Sequence, residues 1–186
     1  MDVTSAAKAL AQNTSDLTWP EMLPQRLYNL CVPNLPSGSP LQLGEDFHAH
    51  LSKHLSGEWV PKDHYYSCSG VAEILADLGL ERKSLKSEIP LKKGQLTGQA
   101  DLVGIDASGQ PWIVEIKTTQ RKHVLAPAST ELFQLALYAE LLGYKNPTLA
   151  CLRINFSNAK VGVYHTSDEQ IIPRIQHCIR KMDFAA

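Results

Sequence analysis

Two apolar runs near the middle of the chain, within 96–105 and 112–118, flank Ala107-Ser108-Gly109-Gln110, which reads as a hairpin turn. A further strand is expected over 85–91, so the three form a meander. Segment 131–142 carries a helical pattern that is apolar nearly all round and ends at Gly143, which predicts a largely buried helix. Segment 44–55 reads as a helix with Phe47, Leu51 and Leu55 as its apolar stripe. His48 and His54 border that stripe on opposite sides, and His50 points further away. Other helices are expected over 3–12, over 21–31 (interrupted or started by Pro24), and over 71–80. A second strand pair, 148–156 and 160–165, turns at Ser157-Asn158. Ser167 and Gln170 offer a capping box for a last helix whose stripe is Ile172, Ile175, Ile179 and Met182, with Pro173 as an alternative first turn or kink. The stretch 32–40 carries three prolines, a glycine and two serines and reads as a loop. The stretch 57–69 reads as irregular, with Trp59, His64, Tyr65 and Tyr66 exposed or half-buried.

This order predicts an α/β fold. A mixed sheet with a central three-strand meander is crossed by the 131–142 helix and flanked by helices from both termini. The 131–142 helix and the strand after it make a crossover back to the sheet. The 186 residues suit one domain with a sizeable core. Residues 1–40 are expected as an N-terminal helical segment and a Pro/Ser/Gly loop packed on a core formed by 41–186. Apolar residues make up 44% and charged residues 20%, ordinary for a globular protein. No apolar run is long enough to span a membrane, and residues 1–13 lack the apolar region of a signal peptide. The expectation is an intracellular protein, not secreted and without a membrane partner. Four scattered cysteines, Cys31, Cys68, Cys151 and Cys178, fit buried thiols in a reducing compartment.

The meander also carries chemistry. Glu115 and Lys117 lie two apart on one strand and project from the same face. Asp101 lies on the partner strand, so two carboxylates and an ammonium can converge at one end of the sheet. Two carboxylates can hold a hard divalent cation that activates water. Lys117 can stabilise charge on a phosphoryl oxygen or orient that water. Such parts suit phosphodiester hydrolysis. On the 131–142 helix, Gln134 and Tyr138 are four apart, share a face and need polar partners if buried.

Taken in order, Gly44-x-x-x-His48-x-x-Leu51, Gly98-x-x-Asp101, Glu115-x-Lys117 and Gln134-x-x-x-Tyr138 resemble the RecB-type branch of the PD-(D/E)XK nuclease superfamily. The resemblance covers roughly 41–156 and implies a restriction-endonuclease-like core. It implies His48, Asp101 and Glu115 as metal ligands, joined by the backbone carbonyl of Ile116, with Lys117 as the catalytic lysine. Gln134 and Tyr138 would support the site or touch the substrate strand, and Glu88 matches a supporting acidic residue on the preceding strand. The family's proline before the aspartate is absent, and Ala100 stands there. The metal implied is one or two ions of Mg²⁺ or Mn²⁺. Some members of this branch hold an iron–sulfur cluster on four cysteines. Here no two cysteines are close in sequence, so no cluster and no zinc site are expected.

The resemblance implies a DNA nuclease, first of all an exonuclease acting on ends, in repair, recombination or a mobile element. A helicase or recombination partner would fit, because the chain has no helicase motifs of its own. Net charge is −1, so DNA would have to be held by local basic patches. Lys92, Lys93, Arg121 and Lys122 are expected to border the groove. Competing readings are an RNA endonuclease of the cap-snatching type, a nuclease fold that has lost activity, and a metabolic α/β domain. Against the last stands the lack of a Gly-rich nucleotide loop.

Overall fold

The computed structural model describes residues 1–14, 18–20, 24–31, 39–120, 126–167 and 171–181. Six strands form one sheet between two layers of helices. In chain order the elements are α1 (Val3–Asn13), β1 (Arg26–Asn29), α2 (Pro40–Ser56), α3 (Lys62–Asp77), β2 (Lys86–Lys93), β3 (Leu96–Ile105), β4 (Pro111–Thr119), α4 (Ser129–Leu142), β5 (Thr148–Asn155), β6 (Lys160–Thr166) and α5 (Ile171–Lys181). The sheet order is β1-β6-β5-β4-β3-β2. The meander β2-β3-β4 is antiparallel, β4 and β5 are parallel through the α4 crossover, and β5-β6-β1 is antiparallel again. This is the mixed α/β sheet the pattern predicts.

β4 is an interior strand with neighbours on both sides, and its residues from Trp112 to Ile116 are all buried. A strand covered on both faces should be apolar throughout, which makes Glu115 the exception within it. One core lies under α1, α4 and α5, with Leu10, Ile113, Phe133, Leu149 and Ile175. The other lies under α2 and α3, with Phe47, Leu75, Val114, Leu152 and Val163. The turn at 107–110 forms as expected. Gly109 takes a φ of 85°, and Asp106 accepts from the Ser108 and Gln110 N–H groups.

Two elements differ from the pattern's expectation. The helix expected over 21–31 is instead the strand β1, which pairs antiparallel with β6 from Arg26↔Val163 to Asn29↔Lys160; residues 21–23 lie outside the described part. β6 would otherwise have an open edge, and its ladder satisfies the backbone of a four-residue segment too short for a stable helix. The segment expected to be irregular over 57–69 becomes helical from Lys62, so α3 begins nine residues before the expected start at 71. Its buried positions Ser67, Cys68, Val71, Ile74 and Leu75 keep helical spacing, and the small Ser67 and Cys68 carry that stripe back towards Pro61. Trp59, Tyr65 and Tyr66 are exposed and His64 is half-buried, as expected. α2 starts at Pro40, four residues before the expected 44, with Ser39 Oγ accepting from the Gln42 N–H as its cap; residues 32–38 lie outside the described part. Of the expected capping box and stripe of the last helix, Gln170 and Met182 lie outside the described residues.

Candidate active site

The site begins where the sheet opens. β3 and β4 pair from Ile105↔Pro111 to Leu102↔Val114, and there the register stops. The Ile116 N–H therefore has no strand partner on the β3 side, and it donates to Asp101 Oδ2 at 2.8 Å. The Ile116 carbonyl lies 3.1 Å from His48 Nε2. A carbonyl only accepts, so Nε2 carries the proton in this contact. One peptide strand thus fixes a carboxylate through its N–H and an imidazole through its C=O.

On the other edge of β3, Ser87 pairs with Leu102 and Ile89 with Ala100. Glu88 between them has a φ of 53°. A non-glycine residue in this left-handed region is strained by about 1 kcal/mol or more. The distortion brings the Glu88 carboxylate to α2: Oε1 is 3.4 Å from His48 Nδ1, and Oε2 accepts from Gln99 Nε2. Asp101 Oδ1 lies 3.7 Å from the same His48 nitrogen. With Nε2 committed to Ile116, the Nδ1 edge faces two carboxylates. Either a second proton or a cation must satisfy that edge.

α2 can approach this closely because of Gly44, one turn before His48. A methyl group there would sit 3.0 Å from Thr118 Oγ1 at the end of β4. The glycine of the 44–51 motif is thus a packing residue, and Phe47 and Leu51 anchor the same helix in the core.

Glu115 is only 1% exposed yet charged in kind. Its Oε1 accepts from Lys117 Nζ and from Gln134 Nε2, the latter at 3.0 Å. Gln134 Nε2 also reaches the Tyr138 hydroxyl at 3.0 Å. Gln134 and Tyr138 therefore form a buried polar seam beside Glu115. Tyr138 lies against Gly98, where a methyl group would come within 2.9 Å of its ring. The second oxygen of Glu115, Oε2, is buried without a hydrogen-bond partner.

Burial raises Asp101 to about 6, against the pull of the Ile116 N–H and Lys117. Burial and then Asp101 raise Glu115 to about 7, against the pull of Lys117. Desolvation pulls the Lys117 ammonium down, but Glu115 and Asp101 outweigh it and the net direction is up. Burial lifts the Tyr138 hydroxyl to about 12, which keeps it protonated at neutral pH. Two carboxyls raised chiefly by burial, beside a held ammonium, are the kind of perturbed group that marks a functional site.

A family profile decides the lineage: that of the PD-(D/E)XK nuclease superfamily matches residues 50–182. The chain belongs to this superfamily. The match takes in Glu88, Asp101, Glu115, Lys117, Gln134 and Tyr138, and starts two residues after His48. No curated protein matches. Among solved structures, SSO0001 is 15% identical, with 99% of this chain and 77% of that one covered and a TM-score of 0.46. A candidate exonuclease from Eubacterium rectale is 9% identical, with 79% and 66% covered and a TM-score of 0.42.

Nucleases of the PD-(D/E)XK superfamily use divalent metals, and the donors here fit one. Among the described residues, His48, Glu88 and Asp101 are the group of three whose ligand atoms fall within 4.8 Å of one another. The unpartnered Glu115 Oε2 is a further donor. One imidazole nitrogen and carboxylate oxygens are a hard donor set suited to Mg²⁺ or Mn²⁺. The ligand set read from the sequence had His48, Asp101, Glu115 and the Ile116 carbonyl, with Glu88 as support. The structure puts Glu88 in the ligand-spaced group and turns the Ile116 carbonyl to His48. Nothing local in Ser87-Glu88-Ile89 marks this. The signal is the hairpin register, which sets Glu88 across from Asp101.

A cavity of about 850 Å³ opens on the α2 side, lined by His48, Ser52, Lys53, Glu88, Lys117 and Thr118 among others. Lys92 and Lys93 do not line it. They sit at the tip of the β2–β3 hairpin, opposite Thr97 and Leu96, and Lys93 reaches Glu140 of α4 at 3.4 Å. Four residues of strand, about 13 Å, separate Thr97 from Asp101. Arg121 and Lys122 lie outside the described residues. Cys68 and Cys151 are buried, and burial pushes both thiols up, Cys68 to about 12; Cys31 is exposed and Cys178 half-buried.

Proposed function

We propose that this chain is a Mg²⁺- or Mn²⁺-dependent deoxyribonuclease of the RecB-type branch, acting on DNA ends as an exonuclease in repair, recombination or a mobile element. The observation that carries the reading is the meeting of His48, Glu88 and Asp101 near the Glu115–Lys117 pair, with His48, Glu88 and Lys117 lining one cavity. His48, Glu88, Asp101 and Glu115 would hold the metal. A divalent ion bound there supplies Lewis acidity and a lowered pKa for a bound water.

The chain's own residues do the positioning. Lys117 is half-exposed and held by Glu115, so its ammonium is fixed where charge develops on a phosphoryl oxygen. Gln134 fixes the Glu115 carboxylate from below, and Tyr138 fixes Gln134. The Ile116 peptide sets the spacing between Asp101 and His48. These contacts are made before substrate arrives, which is the preorganisation that electrostatic catalysis requires.

The test is digestion of end-labelled and circular DNA, single- and double-stranded, with Mg²⁺, Mn²⁺ or chelator. Cleavage of linear substrates with metal, circles left intact, is the expected result. Cut circles would replace the exonuclease assignment with an endonuclease one. RNA cut in preference to DNA would overturn the substrate assignment.

A further inference from the structure

Trp59 is 80% exposed, far more than the other two tryptophans, Trp19 at 5% and Trp112 at 7%. A lone exposed tryptophan needs no explanation, but one that lines a cavity with further exposed aromatics makes a patch suited to a ligand. The segment is short and held at both ends. Gly57 ends α2 in the left-handed region, Glu58 N–H donates back to the Lys53 carbonyl at 2.8 Å, Val60 is buried, and Pro61 opens α3. Tyr65 and Tyr66, in the first two turns of α3, are 47% and 41% exposed, with rings edge-to-face at 5.8 Å. Together with Trp59, Glu58, Val60 and Lys62 they line a cavity of about 340 Å³.

This aromatic cavity neighbours the cavity at the candidate active site. Glu58 borders both it and the larger cavity lined by His48, Glu88 and Lys117. From His48 to the end of α2 is eight residues, about 12 Å of helix, a few nucleotides of strand. Lys53 lies along that path and Lys62 beside the aromatics; Glu45, Glu58 and Glu88 line it too, so lysines and carboxylates share a route that ends in flat rings. Exposed aromatics with lysines beside them suit single strands, whose bases are free to stack; a duplex keeps its bases paired inside.

We propose that Trp59, with Tyr65 and Tyr66, is a base-stacking platform for one DNA strand whose backbone runs along α2 to the cleft at His48, Glu88 and Lys117. The platform names the substrate as single-stranded DNA or a frayed end, and it rests on the nuclease reading above. Trp59 is the principal base contact, and Lys53 and Lys62 take the phosphates on either side of it.

The test is fluorescence titration of the whole chain in chelator, where no cleavage occurs. The probes are a short oligothymidylate, an abasic strand of the same length, and a blunt duplex. The two other tryptophans are buried, so surface quenching reports on Trp59. The oligothymidylate should quench saturably, and the abasic strand and duplex should quench little. Trp59→Ala should weaken oligothymidylate binding about tenfold, within the range of one lost stacking contact, and Trp59→Phe should restore most of it. Equal binding of the normal and abasic strands, or unchanged affinity in Trp59→Ala, would overturn the platform. So would a shift from dimer to monomer in Trp59→Ala with oligonucleotide affinity intact, which would give the patch to a second copy. DNA cleavage with Mg²⁺ by a protein that shows no base-dependent quenching sinks the platform alone. Base-dependent quenching by a protein that cuts nothing with either metal sinks the nuclease reading alone.

Discussion

At the scale of single residues, Glu88 and Glu115 are two carboxylates given different tasks by their surroundings. Glu88 is partly exposed and holds its position through a strained backbone, with a φ of 53°. Glycine relieves that strain, whereas alanine keeps it and loses the carboxylate. Glu88→Gly should therefore melt at or above the parent temperature in chelator, and Glu88→Ala below Glu88→Gly. Both should bind Mn²⁺ at least about tenfold more weakly by calorimetry, since a charged ligand is lost. Glu115 is buried and raised to about 7 from an ordinary 4.5. A carboxyl whose folded pKa is raised binds its proton more tightly in the fold, so its contribution is present below about 4.5 and is lost as pH rises through about 7. His54 and His64, lowered by burial, act in the opposite sense near neutrality. The readout is thus a difference. In chelator, urea unfolding at pH 5 and pH 8 should show Glu115→Gln gaining on the parent as pH rises. A parent that gains as much as the variant would refute the raised Glu115. Lys117→Ala should cut turnover by about 10²–10³-fold, the range for a lost electrostatic donor, with a near-parental circular dichroism spectrum.

At the scale of elements, what matters is how closely helices reach the split in the sheet. α2 lies on β4 at Gly44, within 3.0 Å of Thr118 Oγ1 for an added methyl. Gly44→Ala should push the helix and its His48 away and weaken Mn²⁺ binding, while alanine's higher helix propensity offsets the stability cost of the clash. Thr118→Ala removes the opposing oxygen. The pair should couple positively in a double-mutant cycle, with the double variant recovering metal affinity that Gly44→Ala loses. Simple additivity would mean the two groups do not meet. On the opposite face α4 brings Gln134 and Tyr138 under Glu115. Tyr138→Phe deletes a hydroxyl whose partner keeps Glu115, so turnover should fall more than the melting temperature.

At the scale of the whole molecule, a chain of net charge −1 must gather its cations where the substrate runs. Lys53, Lys62 and Lys117 line the two cavities, where they offset Glu45, Glu58 and Glu88, while Lys93 is engaged with Glu140. Each lysine that meets a phosphate should add slightly less than one unit to the log–log salt slope of binding. Lys53→Glu with Lys62→Glu should therefore flatten the slope and weaken single-strand binding, leaving Mn²⁺ affinity at the parental value. Arg121→Glu with Lys122→Glu is the matching test of the patch after β4. Whichever pair leaves the slope unchanged lies off the path.

Periodicity alone determined the meander, the all-round apolar α4, the second strand pair and the α/β class, because alternation and helical spacing are local properties of the chain. The order of small motifs likewise pointed to Asp101, Glu115, Lys117 and Gln134 together. Tertiary structure decided the rest. Residues 26–29 became a strand because β6 had an edge to fill, and α3 began at Lys62 because Cys68 meets a core contributed by distant segments and Ser67 is buried beside it. Glu88 joined His48 and Asp101 through a hairpin register and a left-handed backbone that no residue nearby announces. The exposed Trp59 became part of a path to the cleft only once α2 ran from one to the other. Local pattern fixes which face of an element is apolar; where two elements part and what fills the gap depend on contacts between residues far apart in the chain.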